Sequence, residues 1–290
     1  SLGQDRRFLP FFFDCILSLA YVDATAGIEQ YVEHCTASAS GFNAHIGFIN
    51  LCAPCHHHGH WQYQKAAKPK SGVLGKLSSE VVLAFIAHAN PCFEQVLVMG
   101  GTGEADAKIV HESGITIFAE VKSAPLLTYP LLLTVTSPLP SLQHDHIALT
   151  HSQFKECGSG LSLHRELVVP LGQVGDAGWP FRPFVDFVAD AANAPLFEAG
   201  LAQWLEAKAA YQNKDKTSPL YYFTNACGAP PLEAKQQGFW PQNEVISDSK
   251  TSAGMDRTDD IKKGIYQTLK IGVTHQHVPH QSFYVPIELL

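Results

Sequence analysis

Two carboxylates and a lysine can converge in residues 106–122, Asp106-Ala-Lys-Ile-Val-His-Glu-Ser-Gly-Ile-Thr-Ile-Phe-Ala-Glu120-Val-Lys122. An apolar stretch, Gln95-Val-Leu-Val-Met, leads through glycines into Asp106, and a second, Ile115-Thr-Ile-Phe-Ala-Glu-Val, runs into Glu-Val-Lys. Between them His111-Glu-Ser-Gly114 reads as a turn, with Gly114 taking the dihedral that other residues avoid. A turn centred on Ser113 puts Asp106 and Glu120 each seven residues away. They then face each other across a hairpin, with side chains on one face roughly 5 Å apart. Lys122 lies two residues past Glu120 and shares that face. Two such carboxylates repel, a divalent cation relieves the repulsion, and oxygen ligands of this kind suit Mg²⁺.

This arrangement resembles the PD-(D/E)XK nuclease superfamily, and within it the type II restriction endonucleases. Asp106 matches the first acidic residue and Glu120-Val121-Lys122 the (D/E)-x-K tripeptide; where the family usually has Pro before the Asp, this chain has Ala105. Gly75-Lys-Leu-Ser-Ser-Glu80-Val-Val-Leu-Ala-Phe-Ile is similar to the family's first core helix, with Glu80 where that helix often carries an accessory glutamate. Asp259-Asp-Ile-Lys-Lys-Gly-Ile-Tyr-Gln267-Thr-Leu-Lys is similar to the helix behind the catalytic strand. The resemblance covers residues 72–123 and 245–290 and leaves the segment between them unplaced.

A lone Glu-x-Lys carries little weight, because chance supplies about one in a chain of this size. Ser247-Asp-Ser-Lys250 is a second match. No opposed acidic strand precedes it within a hairpin's length, so Asp248 and Lys250 read as structural or DNA-contacting. The combination of helix, strand, opposed Asp and apolar strand is what separates residues 106–122 from a solvated strand end.

Cys52-Ala-Pro-Cys55-His56-His57-His58-Gly-His60 is the other dense constellation. Cys-x-x-Cys delivers two thiolates from one tight turn to a single Zn²⁺. Cys35 lies 17 residues before Cys52. Cys35, Cys52, Cys55 and His60 are the expected structural zinc ligands, with His34 and His58 competing for the fourth place. The alternative is a polar loop with buried free thiols. Gln143-His-Asp-His146 with His151, and His275-Gln-His277 with His280, read as polar loop or strand residues before metal ligands.

The chain has 290 residues, 46% of them hydrophobic, ample for a buried core. The opening Phe8-Leu-Pro-Phe-Phe-Phe lacks the form of a signal peptide, and no apolar run near 18 residues long is evident, so no membrane span is expected. Seven cysteines make an odd count, which fits a reducing bacterial or archaeal cytoplasm. A net charge of −7 argues against coating nucleic acid through bulk charge, but allows a cleft with local basic residues. Lys65, Lys68, Lys70 and Lys76, following Trp61 and Tyr63, are candidate DNA contacts, or an exposed loop.

The expected fold is α/β (α+β): a restriction-endonuclease-like core whose mixed central sheet is flanked by helices. Residues 1–71 are expected to form an N-terminal helical subdomain with the zinc loop, its helices over Asp14–Tyr21 and Ala26–His34. Residues 72–290 are expected to form the nuclease core, interrupted by an insertion at about 124–244. The insertion holds a strand at Glu166–Val169, the segment Pro183–Asp190 and a helix over Pro195–Tyr211. A strand at 243–248, a helix at 259–270 capped by Thr258, and a final strand follow.

The resemblance implies a site-specific, Mg²⁺-dependent endonuclease of a restriction-modification system, acting on double-stranded DNA as a homodimer matched to a palindromic site. Asp106 and Glu120 would hold the metal, Lys122 would serve the attacking water, and Glu80 would reach a second metal or water. Arg257, in the loop with Asp256, is the candidate guanine reader, and Gln267 is expected either to point toward the catalytic strand from the packing helix or to belong to an ordinary amphipathic helix. The rivals are a repair or junction nuclease of the same superfamily, a non-catalytic zinc-stabilised DNA-binding module, and a zinc hydrolase built on the His-rich loops.

Overall fold

A computed structural model describes residues 7–25, 30–35, 37, 41–67, 71–99, 104–121, 124–135, 146–163, 167–237, 240–247 and 258–276. In chain order the elements begin α1 (Phe8–Thr25), β1 (Gln30–His34), β2 (Gly41–Ala44), α2 (Ala53–His57), α3 (Ser71–Ala89), β3 (Phe93–Val98), β4 (Ala107–His111) and β5 (Thr116–Ala119). There follow β6 (Leu131–Thr134), β7 (His146–Leu149), α4 (His151–Glu156), β8 (Gly158–Ser162), β9 (Val168–Gln173), α5 (Phe181–Ala189), α6 (Ala194–Gln212), α7 (Leu232–Gln236) and α8 (Thr258–Thr274).

The chain divides into two units: Ser1–Pro69 with Pro125–Thr251, and Lys70–Ala124 with Ser252–Leu290. The first unit is built on a six-stranded sheet in the order β7-β1-β2-β6-β8-β9, every neighbouring pair antiparallel. Strands far apart in sequence are neighbours here: Val32 pairs with Ile147, and Phe42 with Leu133. α1 is apolar and buries Phe11, Cys15, Leu17, Leu19 and Val22. It crosses α6 closely at Gly200, where a Cβ would come 2.9 Å from the Phe11 ring, so a larger residue would push the two helices apart.

One polar residue sits inside this apolar helix. Asp14 Oδ1 accepts from the amide of Leu126 at 3.2 Å, and Oδ2 accepts from the amide of Leu127 and from Trp204 Nε1, both at 2.8 Å. The carboxyl therefore joins α1, the strand-entry segment before β6, and α6. α1 has the length and apolar composition to cross a membrane. That differs from the sequence expectation; Asp14 and its buried partners give the helix a place in the core of this unit instead.

The second unit contains α3, the three-stranded antiparallel sheet β3-β4-β5, and α8. α3 lies against β3. Among the described residues, Leu83 on α3, Ala105, and Ala107 and Ile109 on β4 are its buried apolar residues.

Several expectations change. Residues 30–34 form a strand rather than part of a second helix, because β1 finds partners in both β2 and β7. The N-terminal segment is accordingly not a separate helical subdomain: β1 and β2 share one sheet with β6–β9 from the expected insertion. Both sheets are antiparallel throughout, not mixed. Residues 183–189 lie within helix α5, with Asp190 just past its end, and residues 243–247 form turns and bends rather than a strand. Helices over Pro195–Tyr211 and 259–270 appear as α6 and α8, with Thr258 the first residue of α8. The final strand expected at 282–290 lies outside the described residues.

Candidate active site and thiol cluster

The β4–β5 hairpin pairs Ala107 with Ala119, Lys108 with Phe118, Ile109 with Ile117 and Val110 with Thr116. Its turn is closed by the His111 amide donating to Ile115 O at 2.9 Å and the Gly114 amide donating to His111 O at 2.8 Å. Gly114 has φ +78°, a conformation that costs a Cβ-bearing residue energy. One rung beyond Ala107/Ala119, this register sets Asp106 opposite Glu120, both half-buried. Alternation along the strands puts Lys108 and Phe118 on the same face.

Asp106 is tied on both sides. Its carbonyl accepts from the Met99 amide at 2.8 Å, which extends the β3–β4 pairing, and its Oδ2 accepts from the Val121 amide at 2.8 Å. The second bond binds the carboxylate directly to the backbone of the Glu120-Val121-Lys122 tripeptide. Lys122 itself lies outside the described residues, as do Lys68, Lys70, Arg257, Asp248 and Lys250.

Glu80 sits on α3 and forms an i,i+4 ion pair with Lys76 at 3.8 Å, with 44% of its side chain exposed. Among the described residues it does not gather with Asp106 and Glu120 into a three-ligand group. The i,i+4 spacing gives Glu80 a local cation in Lys76 on the same helix face. Lys65 is exposed. Gln267 on α8 is partly buried, and its Oε1 is shut off from solvent without a hydrogen-bond partner.

A contact that the sequence did not signal joins α8 to this hairpin. His275 Nε2, just past the helix, lies 2.7 Å from Glu104 Oε2. The His275 ring stacks on Phe118 at 5.1 Å and 30°. Glu104 is two residues before Asp106 and Phe118 two before Glu120, so one imidazole touches the approaches to both carboxylates.

The first unit holds the Cys35, Cys52 and Cys55 thiols. Cys35 follows β1 and its amide donates to Gly41 O at 2.8 Å, closing the β1–β2 connection. Cys52 precedes the single turn of α2, where Pro54 occupies the first turn, and Cys55 lies in it. Cys35 Sγ lies 3.3 Å from Cys55 Sγ and 3.4 Å from Cys52 Sγ. None of the seven cysteines forms a disulfide, and these separations are well beyond a disulfide bond. Hydrogen bonding to Cys35 is the largest cause pushing Cys55 up to about 11, and hydrogen bonds to Cys35 and Cys55, then burial, push Cys52 far higher.

His60, expected as the fourth ligand, is exposed and outside this cluster, and so is its competitor His58. The backbone explains it: the amides of His58 and His60 both donate to Cys55 O, and Gly59 has φ +80°, so the chain curls outward after α2. His56 and His57 turn to the aromatic residues instead. The His56 ring lies 4.3 Å from Trp61 and 5.1 Å from Phe223, and the His57 ring stacks on Phe223 at 5.1 Å. The His34 side chain lies outside what is described. Sequence reading missed two polar residues beside the thiols. Asn43 Nδ2 donates to Cys52 Sγ at 3.5 Å. Buried His45 bonds Leu51 O through Nε2, has no hydrogen-bond partner at Nδ1, and is pushed down to about 4 by burial.

No family model, curated protein or solved structure matches the chain.

Proposed function

We propose that the chain is a Mg²⁺-dependent DNA endonuclease of the PD-(D/E)XK type, with site-specific cleavage of double-stranded DNA by a homodimer as its most specific form. The observation that carries this reading is the opposition of Asp106 and Glu120 in the β4–β5 register, with the Val121 amide bonded to Asp106 Oδ2. Two opposed, half-buried carboxylates fit a hard divalent cation. Asp106 and Glu120 would hold Mg²⁺, which when bound polarises a scissile phosphate and lowers the pKa of an attacking water. Lys122 would orient that water and offset charge on the pentavalent phosphorus. α3 and α8 belong to the same unit as the hairpin, which agrees with the helices expected around such a core.

Cys35, Cys52 and Cys55 would hold a structural Zn²⁺, because three close thiols are costly as thiolates unless a cation compensates them. Seven cysteines without a disulfide agree with work in a reducing compartment.

The test is cleavage of unmethylated plasmid and phage DNA with Mg²⁺, with EDTA and with Lys122→Ala. Discrete fragments that require Mg²⁺ and vanish in the variant support the reading; heterogeneous or structure-directed nicking points to a repair or junction nuclease.

A second reading rests on the thiol cluster lying in the unit that does not contain Asp106 and Glu120. In that reading the chain is a zinc-stabilised DNA-binding module without catalysis. Folded protein that binds DNA and never cuts it, with Mg²⁺ or Mn²⁺ present, decides for this alternative.

A further inference from the structure

At the turn end of the hairpin, away from Asp106 and Glu120, three metal-ligating side chains converge. Cys92, His111 and Glu112 each offer a donor atom, and these atoms all lie within 4.8 Å of one another. The backbone brings them together. Asn90 forms a turn after α3, its Oδ1 accepting from the Cys92 amide at 3.2 Å and its carbonyl from the Phe93 amide at 3.1 Å. The Glu112 amide donates to Cys92 O at 2.9 Å, one rung beyond the Phe93–His111 pair. The rings of Phe93 and His111 meet edge to face at 6.0 Å. The three ligands therefore sit on paired strands and their turn.

The donor set is one sulfur, one nitrogen and one carboxylate oxygen. That mixture favours a borderline-soft divalent ion such as Zn²⁺ over Mg²⁺. His111 is held over the turn, with Nδ1 3.1 Å from the Ser113 amide and 2.8 Å from Ser113 Oγ. The Ser113 amide donates to Nδ1; binding a metal at Nε2 would move the ring proton to Nδ1, where Ser113 Oγ can accept it in place of the amide's donation. Cys92 and His111 are half-buried and Glu112 is exposed. A site of three protein ligands open to water keeps a position for exchange, unlike the buried pair Cys35 and Cys52.

We propose that Cys92, His111 and Glu112 form a second, exchangeable site for Zn²⁺ or a similar transition-metal ion, clipping the start of β3 to the β4–β5 turn. This site stands independently of the nuclease reading and of the Cys35/Cys52/Cys55 cluster.

The test is the rate at which iodoacetamide alkylates Cys92 in the full chain, read by peptide mass spectrometry so that the other thiols do not interfere. Zn²⁺ is expected to slow alkylation of Cys92 at least about tenfold, since a metal-bound thiolate is a poor nucleophile toward it, and Mg²⁺ is expected to leave the rate unchanged. Glu112→Gln and His111→Ala alter exposed or half-exposed side chains, and each is expected to raise the Zn²⁺ concentration needed for protection at least about tenfold. An unchanged rate with Zn²⁺, or protection that persists equally in both variants, overturns the proposal.

Discussion

The Val121 amide donates to Asp106 Oδ2 at 2.8 Å, so the central residue of Glu-Val-Lys holds the carboxylate that faces Glu120. This bond separates two roles of Asp106. In Asp106→Asn the side-chain oxygen can still accept from Val121 while the charge is lost. In Asp106→Ala both are lost, at a cost of about 1–3 kcal/mol. The expectation is that Asp106→Asn lowers DNA cleavage at least about 10²-fold with a thermal midpoint close to wild type, and that Asp106→Ala lowers both. Cleavage retained by a folded Asp106→Asn protein would remove Asp106 from the chemistry.

His275 joins the end of α8 to both approaches of the candidate site through Glu104 and Phe118. About a third of each polar side chain is exposed, so the pair contributes modestly, on the order of 1 kcal/mol. His275→Ala is expected to speed hydrogen exchange in β4, β5 and the last turn of α8, with little change in the six-stranded sheet. Uniform exchange across both units would show that His275 has no local role.

The thiols near Cys55 must release protons to bind a metal. With Cys55 held up to about 11 and Cys52 raised further, at least two protons leave at neutral pH. Zinc affinity measured by chelator competition is expected to strengthen with rising pH, by at least about 10²-fold per pH unit between pH 6 and 8. Cys52→Ala is expected to abolish it. A pH-independent affinity would place the ion elsewhere.

Asp14 sets a pH dependence of folding. Burial pushes its carboxyl up to about 7, against hydrogen bonds from Trp204, Leu127 and Leu126 that lower it. The native state thus holds this proton more tightly than the unfolded chain does. Its contribution is complete below about pH 4 and is lost as pH rises toward 7, at about 1.4 kcal/mol per pH unit. Asp14→Asn carries no such proton. The stability difference between wild type and Asp14→Asn, from urea unfolding, is expected to move against the wild type from pH 4 to 7 and level off above. Parallel profiles for the two proteins would contradict this.

Local pattern alone determined the β4–β5 hairpin. Apolar alternation and Gly114 fix a turn centred on Ser113, and period-two geometry then places Asp106 against Glu120 without help from the rest of the chain. The proximity of Cys52 to Cys55 follows in the same way from one tight turn. The tertiary structure decided what depends on distant partners. Residues 30–34 have the composition of a helix end, and became a strand because β2 and β7 complete their hydrogen bonds, the latter more than 100 residues away. Asp14 in an apolar run gives no sign of its partners at 126, 127 and 204. His60 looked like a ligand by spacing, yet the backbone turn after Cys55 carries it outward. Cys92 and Glu112 meet only once β3 and β4 pair. Short-range dihedral and periodicity constraints are written into neighbouring residues, whereas the choice among possible long-range pairings is made by burial and hydrogen bonding summed over the whole unit.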